Sequence, residues 1–333
     1  MTAWHWAAKK ANLDILQNVW VCAEENLTTE EINNKLLLST DSEGRTSWHW
    51  AVMGGNLELL QKVWEWYEEK LTTEEINSKL LLGRDHKGMT AWHWVAIEAN
   101  LHILQKVWEW AEEKLTTQEI SKLLLCTDGE GMTTWHYAAF WGNLDVLQKL
   151  YDFANEKLTR EEMNNKLLLG TDKEERTAWH IAAMEGNLEL LQRIWDWSVK
   201  ILTTEEMNNK LLLGAHSGGM TAWQWAALEG NLEILQKVWE LAEENLTTEE
   251  IKNKLLLGTD SEGMTIWHWV IEVGNSEALR KIWGWAEGKL TREDLKNKLL
   301  LGTDGEGWTG WHWAAMECNL ELLKKYGRGL KRT

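Results

Sequence analysis

The pair Trp-His, written once as Trp-Gln, returns eight times, at Trp4, Trp48, Trp92, Trp135, Trp179, Trp223, Trp267 and Trp311. Successive copies lie 44, 44, 43, 44, 44, 44 and 44 residues apart. So strict a period requires an array of stacked supersecondary units, each burying its apolar face against its sequence neighbours. Units begin near Thr2, Thr46, Thr90, Thr133, Thr177, Thr221, Thr265 and Thr309. Because the frame never breaks, one elongated domain over 1–333 is expected, where length alone would suggest two.

One unit reads as three helices. Thr265 before an apolar stretch is a helix start and Gly274-Asn275 a stop, which leaves a first helix of about two to three turns. In the second segment Leu57, Leu60, Val63, Trp64 and Tyr67 recur at three- and four-residue steps, with Glu58, Lys62, Glu65 and Glu69 between them. That is a helix with one buried face. The third opens with a capping box, Thr28 with Glu31, closed by Leu27 and Ile32 as a hydrophobic staple. The box returns in each later full unit and is worth about 1 kcal/mol each time. It starts a short helix that ends in Lys-Leu-Leu-Leu. The 43-residue step falls here, where the third unit reads EISKLLL against EINNKLLL. A lost residue rotates the rest of a helix by about 100°. The joint between cap and Leu triplet is therefore not expected to be a continuous rigid helix.

These units resemble the ankyrin repeat. Asp85-His86-Lys87-Gly88-Met89-Thr90-Ala91-Trp92-His93-Trp94-Val95-Ala96 follows that family's order of turn, Thr-Pro-Leu-His and small residues, and the stretches from Asp172 and Asp260 do so too. Ala or Ser usually replaces the Pro, Trp replaces the Leu, and each unit exceeds the family's roughly 33 residues by about 11. The capped LTTEEINNKLLL segment accounts for the excess. The resemblance implies an all-α, ankyrin-like helical solenoid of seven full repeats and a truncated eighth, each with a third short helix. The chain holds 26 Trp beside 2 Phe, 4 Tyr and no Pro; the large indoles are expected to fill the widened layer.

Charge and cysteine content exclude several classes of function. A net charge of −17 disfavours nucleic acid and anionic membranes as partners. No apolar run is long enough to span a bilayer, and the N-terminus lacks the order of a signal peptide. Cys22, Cys126 and Cys318 fall in different units without paired spacing, which fits reduced thiols in the cytoplasm. The sequons at Asn26 and Asn245 are chance products of the repeat. No P-loop, nucleophile elbow, zinc-protease or dinucleotide motif occurs. No enzyme activity, cofactor or metal is expected.

The column His5, His49, His93, His136, His180, His268 and His312 invites a metal or proton-relay reading. The ankyrin resemblance implies instead a buried His bonded to backbone and to the preceding Thr. Gln224 favours this, since it can keep a hydrogen bond but cannot replace a zinc-binding imidazole. Trp4, Trp20, Trp64 and Trp66 show core-face spacing.

Two variable rows are the candidate partner-binding residues. One comes after the first helix's small pair: Lys9, Met53, Ile97, Phe140, Met184, Leu228, Glu272 and Met316, with Trp141 beside Phe140. In ankyrin proteins this row lines the concave groove; here either it is exposed or the added helix covers it. The other sits at the turn tips: Arg45, Met89, Met132, Arg176, Met220, Met264 and Trp308. Rows of partly exposed Met, Phe and Trp read as a protein-binding surface. The C-terminal stretch, with Gly327 and Gly329 in a degenerate second helix, reads as a cap with a basic tail over 324–333. The N-terminal unit has no polar cap. The expected function is a non-enzymatic scaffold for a protein partner. The rival is a self-associating structural protein that uses its N-terminal repeat, and a weaker reading is apolar small-molecule binding.

Overall fold

A computed structural model describes residues 1–316 of the 333. Their contacts gather into two compact units, Met1–Leu167 and the part from Leu168 onward. Both are built from the same all-helical layer. The proposed cap over 324–333 and Cys318 lie outside the described residues.

Repeat two shows the layer. The first helix, Ser47–Met53, starts at Thr46, and His49 takes the place of the glutamate in a capping box. Two glycines turn the chain, Gly55 with φ +66°. The second helix, Leu57–Lys70, then starts on Asn56, whose side chain accepts from the Leu59 N–H at 3.0 Å. The corresponding Asn100 and Asn231 also donate, through Nδ2, to Gly55 O and Gly186 O of the preceding repeat at 3.2 Å. One amide thus caps its own helix and ties down the neighbouring turn. An extended Leu71 leads to the Thr72–Glu75 capping box and the third helix. In the seventh copy the shorter Asp294 replaces Glu, and Thr291 caps the helix without the reciprocal bond.

The third helix corrects one expectation. It runs unbroken in repeat three, as the α-helix Thr117–Leu125. The irregularity belongs to the 44-residue copies. There the α-turn Thr73–Glu75 passes directly into the π-helix Ile76–Leu81, and Leu82 N–H reaches back five residues to Asn77 O at 2.9 Å. The same five-residue bond closes Asn33–Leu37, Met207–Leu212, Ile251–Leu256 and Leu295–Leu300. A π-turn absorbs one extra residue without rotating the helix beyond it, so the Leu triplet keeps its direction with or without that residue. After the π-turn Gly83, Gly258 and Gly302 have no room for a Cβ, which would lie 2.0 Å from a lysine carbonyl oxygen; in repeat one, after the π-turn Asn33–Leu37, Ser39 occupies this position. Repeat three, lacking the π-turn, carries Cys126 at that position.

First helices pack on first helices: Ala3–Lys9, Ser47–Met53, Ala91–Glu98 and Thr134–Phe140 in the first unit, and Ala178–Met184, Ala222–Leu228, Ile266–Val273 and Gly310–Met316 in the second. The indoles occupy the layer interfaces. Trp48 is tilted on Trp64 of its own repeat, and Trp64 stacks on Trp110 of the next with centroids 4.4 Å apart and planes at 12°. Trp4, Trp20 and Trp66 repeat the triad, as do Trp92, Trp108 and Phe153, and Trp223, Trp239 and Trp285. Each such pair adds about 0.5–1.5 kcal/mol beyond the area it buries. The tryptophan excess is explained by these stacks between layers.

The third helix docks on the second helix of the following repeat. Asn33, Asn77 and Asn208 donate from Nδ2 to the carbonyls of Lys70, Lys114 and Asn245 at 3.0, 3.0 and 2.8 Å, satisfying helix C-termini. The third helix also touches the first helix of the following repeat. In the Met53 row, Met53, Ile97, Met184 and Leu228 stay half-buried.

Candidate functional site

The histidine column is structural in its bonding. Thr90 N–H donates to His93 Nδ1 at 3.1 Å, which makes Nδ1 an acceptor and puts the ring proton on Nε2. Nε2 then donates to Cys126 O at 3.1 Å, just before the next turn; in His180 it donates to Gly214 O at 2.9 Å. His5, His93, His180 and His268 thus clamp their own N-caps to the chain that leads into the next turn. His49 keeps the Thr46 bonds, and its buried Nε2 has no hydrogen-bond partner among the described residues. Burial holds His49, His93 and His180 down to about 4, because a charged ring would lose its hydration. Gln224 reproduces the N-cap end, accepting from Thr221 N–H at 2.9 Å, and donates at 3.4 Å to Met264 O, six residues beyond the position the imidazoles use.

A second structural column was not anticipated from the sequence. The turn aspartate spends Oδ1 on two backbone N–H groups, as Asp41 does with Glu43 and Arg45 at 2.8 and 2.9 Å. Its Oδ2 accepts from the aromatic residue nine positions later: Trp50 at 2.9 Å, Tyr137 at 2.7 Å, Trp269 at 2.7 Å and Trp313 at 2.8 Å. The signal was present as Asp-x8-Trp or Asp-x8-Tyr. Where the pair is interrupted, an arginine serves. Arg45 bonds Asp85 at 3.3 Å with its guanidinium over Trp94, and Arg176 holds Asp172 at 2.7 Å opposite Ile181.

The structure overturns most of the turn-tip row. Met89, Met132, Met220 and Met264 are buried, not presented to solvent. The turn does not decide this: Met89 N–H and carbonyl both bond Asp85, and Trp308 makes the same two bonds to Asp304 yet stays exposed, so the burial comes from packing beyond the turn. Arg45 and Arg176 are committed to carboxylates. Only Trp308 is substantially exposed, with Trp313 against it at 5.5 Å.

The first-helix row stands differently. In the first unit Met53 and Ile97 are half-buried, while Phe140 and Trp141 are 38% and 56% exposed with rings edge to face at 5.5 Å. In the second unit Met184 and Leu228 are half-buried and Met316 is exposed. Carboxylates come next to the row in sequence: Glu98 after Ile97, Glu185 after Met184, Glu229 after Leu228. Partial burial raises the Glu98 and Glu185 carboxyls, and Glu229 adds repulsion at Glu185. Apolar centres rimmed by under-solvated acid suit a partner that is apolar on one face and basic at its edge.

Among the described residues no helix is long and apolar enough to cross a membrane, and no group of three or more His, Cys, Asp or Glu is placed to hold a metal ion. No protein-family model matches the chain, and no curated protein matches it either.

Proposed function

We propose that the chain is an expanded ankyrin-type array acting as a non-enzymatic cytoplasmic scaffold, with the first-helix row as its protein-binding surface. The observation that carries this is the solvent-facing Phe140–Trp141 pair, two adjacent residues among the four exposed large aromatics of the described residues, Trp6 and Trp308 being the others. Exposed, edge-to-face aromatics beside half-buried Met53 and Ile97 have the makings of an interface hot spot. The flanking carboxylates and the net charge of −17 favour a basic, apolar-faced segment of a partner protein. The ankyrin assignment rests on the Thr-x-Trp-His order and the turn Asp, and the cytoplasmic one on unpaired Cys22 and Cys126. Capture on the immobilised full chain, and then titration of the purified partner, tests the reading. Phe140→Ala with Trp141→Ala should cost about 2 kcal/mol or more of binding energy. An unchanged affinity would remove this surface.

Repeat one supports self-association as a second reading. Trp6 is 49% exposed where its counterpart Trp50 is 5%, and Ile15 is 52% exposed where Leu59 is fully buried. This face accepts one more layer, which a second copy can supply. Sedimentation across a concentration series decides: a strict monomer at high micromolar concentration excludes it.

A further inference from the structure

In the first unit a cavity of about 600 Å³ opens beside the third helix of repeat three, the copy that lacks one residue. Four departures from the repeat pattern meet there. Gln118 lines it, at a position that is Glu30, Glu74, Glu161, Glu205, Glu249 or Glu293 in the other copies. Arg84 lines it where the others have Thr or Ala, and Cys126 where they have Gly or Ser. The fourth is the missing residue itself. It places Lys122 three residues after Glu119 instead of four, out of the register in which Lys35, Lys166, Lys254 and Lys298 pair with the acid four residues earlier. Lys122 still helps to hold the Glu119 carboxyl low, and Lys79 makes no such pair at the regular spacing among the described residues. Gln118 removes a negative charge and Arg84 adds a positive one. In a chain of net charge −17 two changes of one sign at one place form a pattern.

Arg84 is also pre-positioned. Its Nη1 donates to Gly88 O at 3.0 Å and to Thr127 O, which fixes the plane of the guanidinium. Nη2 and Nε have no acceptor among the described residues. Leu82 and Leu125 supply apolar wall, and Thr90 and Ser121 line it with hydroxyls. Opposite stand Glu162 and Lys166, an ion pair at 3.7 Å, so the acid there is already matched. The volume suits a small molecule, and a fixed guanidinium with a lysine on the same wall suits a carboxylate or phosphate.

We propose that this cavity binds a small organic anion, its acidic group held by Arg84 and Lys122 and its apolar body on Leu82 and Leu125. The site is separate from the partner-binding row and stands or falls independently of it. The test is calorimetric titration of the full chain with phenyl phosphate, benzoate and, as a neutral control, phenol. At least one anion should bind, more weakly as salt is added, and the two arms tell phosphate from carboxylate. Arg84→Thr and Gln118→Glu, each installing a residue that other copies carry, should keep the melting temperature and weaken binding about tenfold, the loss of one charge-assisted contact. Failure of both anions to bind at millimolar concentration, equal binding of phenol, or binding unaltered in both variants overturns the proposal.

Discussion

Acid should loosen this protein through its histidines, and glutamine should protect it. His49, His93 and His180 are held at about 4 in the folded chain, against the unfolded value of about 6.5. Lowering a base's folded pKa means that the unfolded chain binds more protons between those values. The stability is then fully present above the unfolded pKa and is lost as pH falls from 6.5 towards 4. At pH 5 each ring contributes about 2 kcal/mol of destabilisation relative to pH 8, and the three together about 6 kcal/mol. That approaches the whole stability of an ordinary domain. Gln224 already shows an uncharged side chain keeping the N-cap bond and reaching the following turn in repeat six, though at Met264 O and not at the carbonyl the imidazoles use. The triple variant His49→Gln, His93→Gln, His180→Gln should therefore resemble wild type in urea at pH 7.5 and exceed it at pH 5, with unfolding monitored by tryptophan fluorescence. Equal loss of midpoint between the two pH values in both proteins would refute the linkage. A triple variant unfolded at pH 7.5 would refute the equivalence of Gln and His.

Three other perturbations test the geometry. Ala99 and Glu175 adopt φ of +56° and +62° where other repeats place glycine, so Ala99→Gly and Glu175→Gly should each stabilise by about 1 kcal/mol, read in thermal melts. Trp110→Ala removes the partner that stacks on Trp64 at 4.4 Å and should cost about 3–5 kcal/mol, whereas trimming exposed Trp141 should leave the melt unchanged. Inserting Asn after Ile120 together with Cys126→Gly should give repeat three the π-turn of its neighbours, preserve helicity by circular dichroism, and abolish anion binding at the cavity.

Local chemistry was legible in the residues, and contacts between layers were not. Thr28 and Glu31 lie three apart, so their capping box comes from helix geometry alone, as does the buried face carrying Val63 and Trp64. Trp64 and Trp110 lie 46 positions apart, and only stacking of one layer on the next brings them together. Met89 shows the limit from the other side. A turn position with a flexible apolar side chain reads as exposed, and only packing beyond the turn buries it: Trp308 makes the same bonds to its aspartate and stays exposed. The candidate surface was half legible: Phe140 and Trp141 stood out by identity, but their exposure is visible only in the folded chain.

The 44-residue period and its cap residues pointed to an all-helical array with its caps, because these depend on neighbours within one turn of helix or one repeat; the histidine bonding came only from the ankyrin resemblance. Tertiary structure decided what the one missing residue means. A sequence cannot show whether a helix will absorb an extra residue as a π-turn, since that depends on whether the Leu triplet must keep facing the next repeat. Here it must, and the copy without the extra residue carries a cysteine in place of glycine and an open cavity.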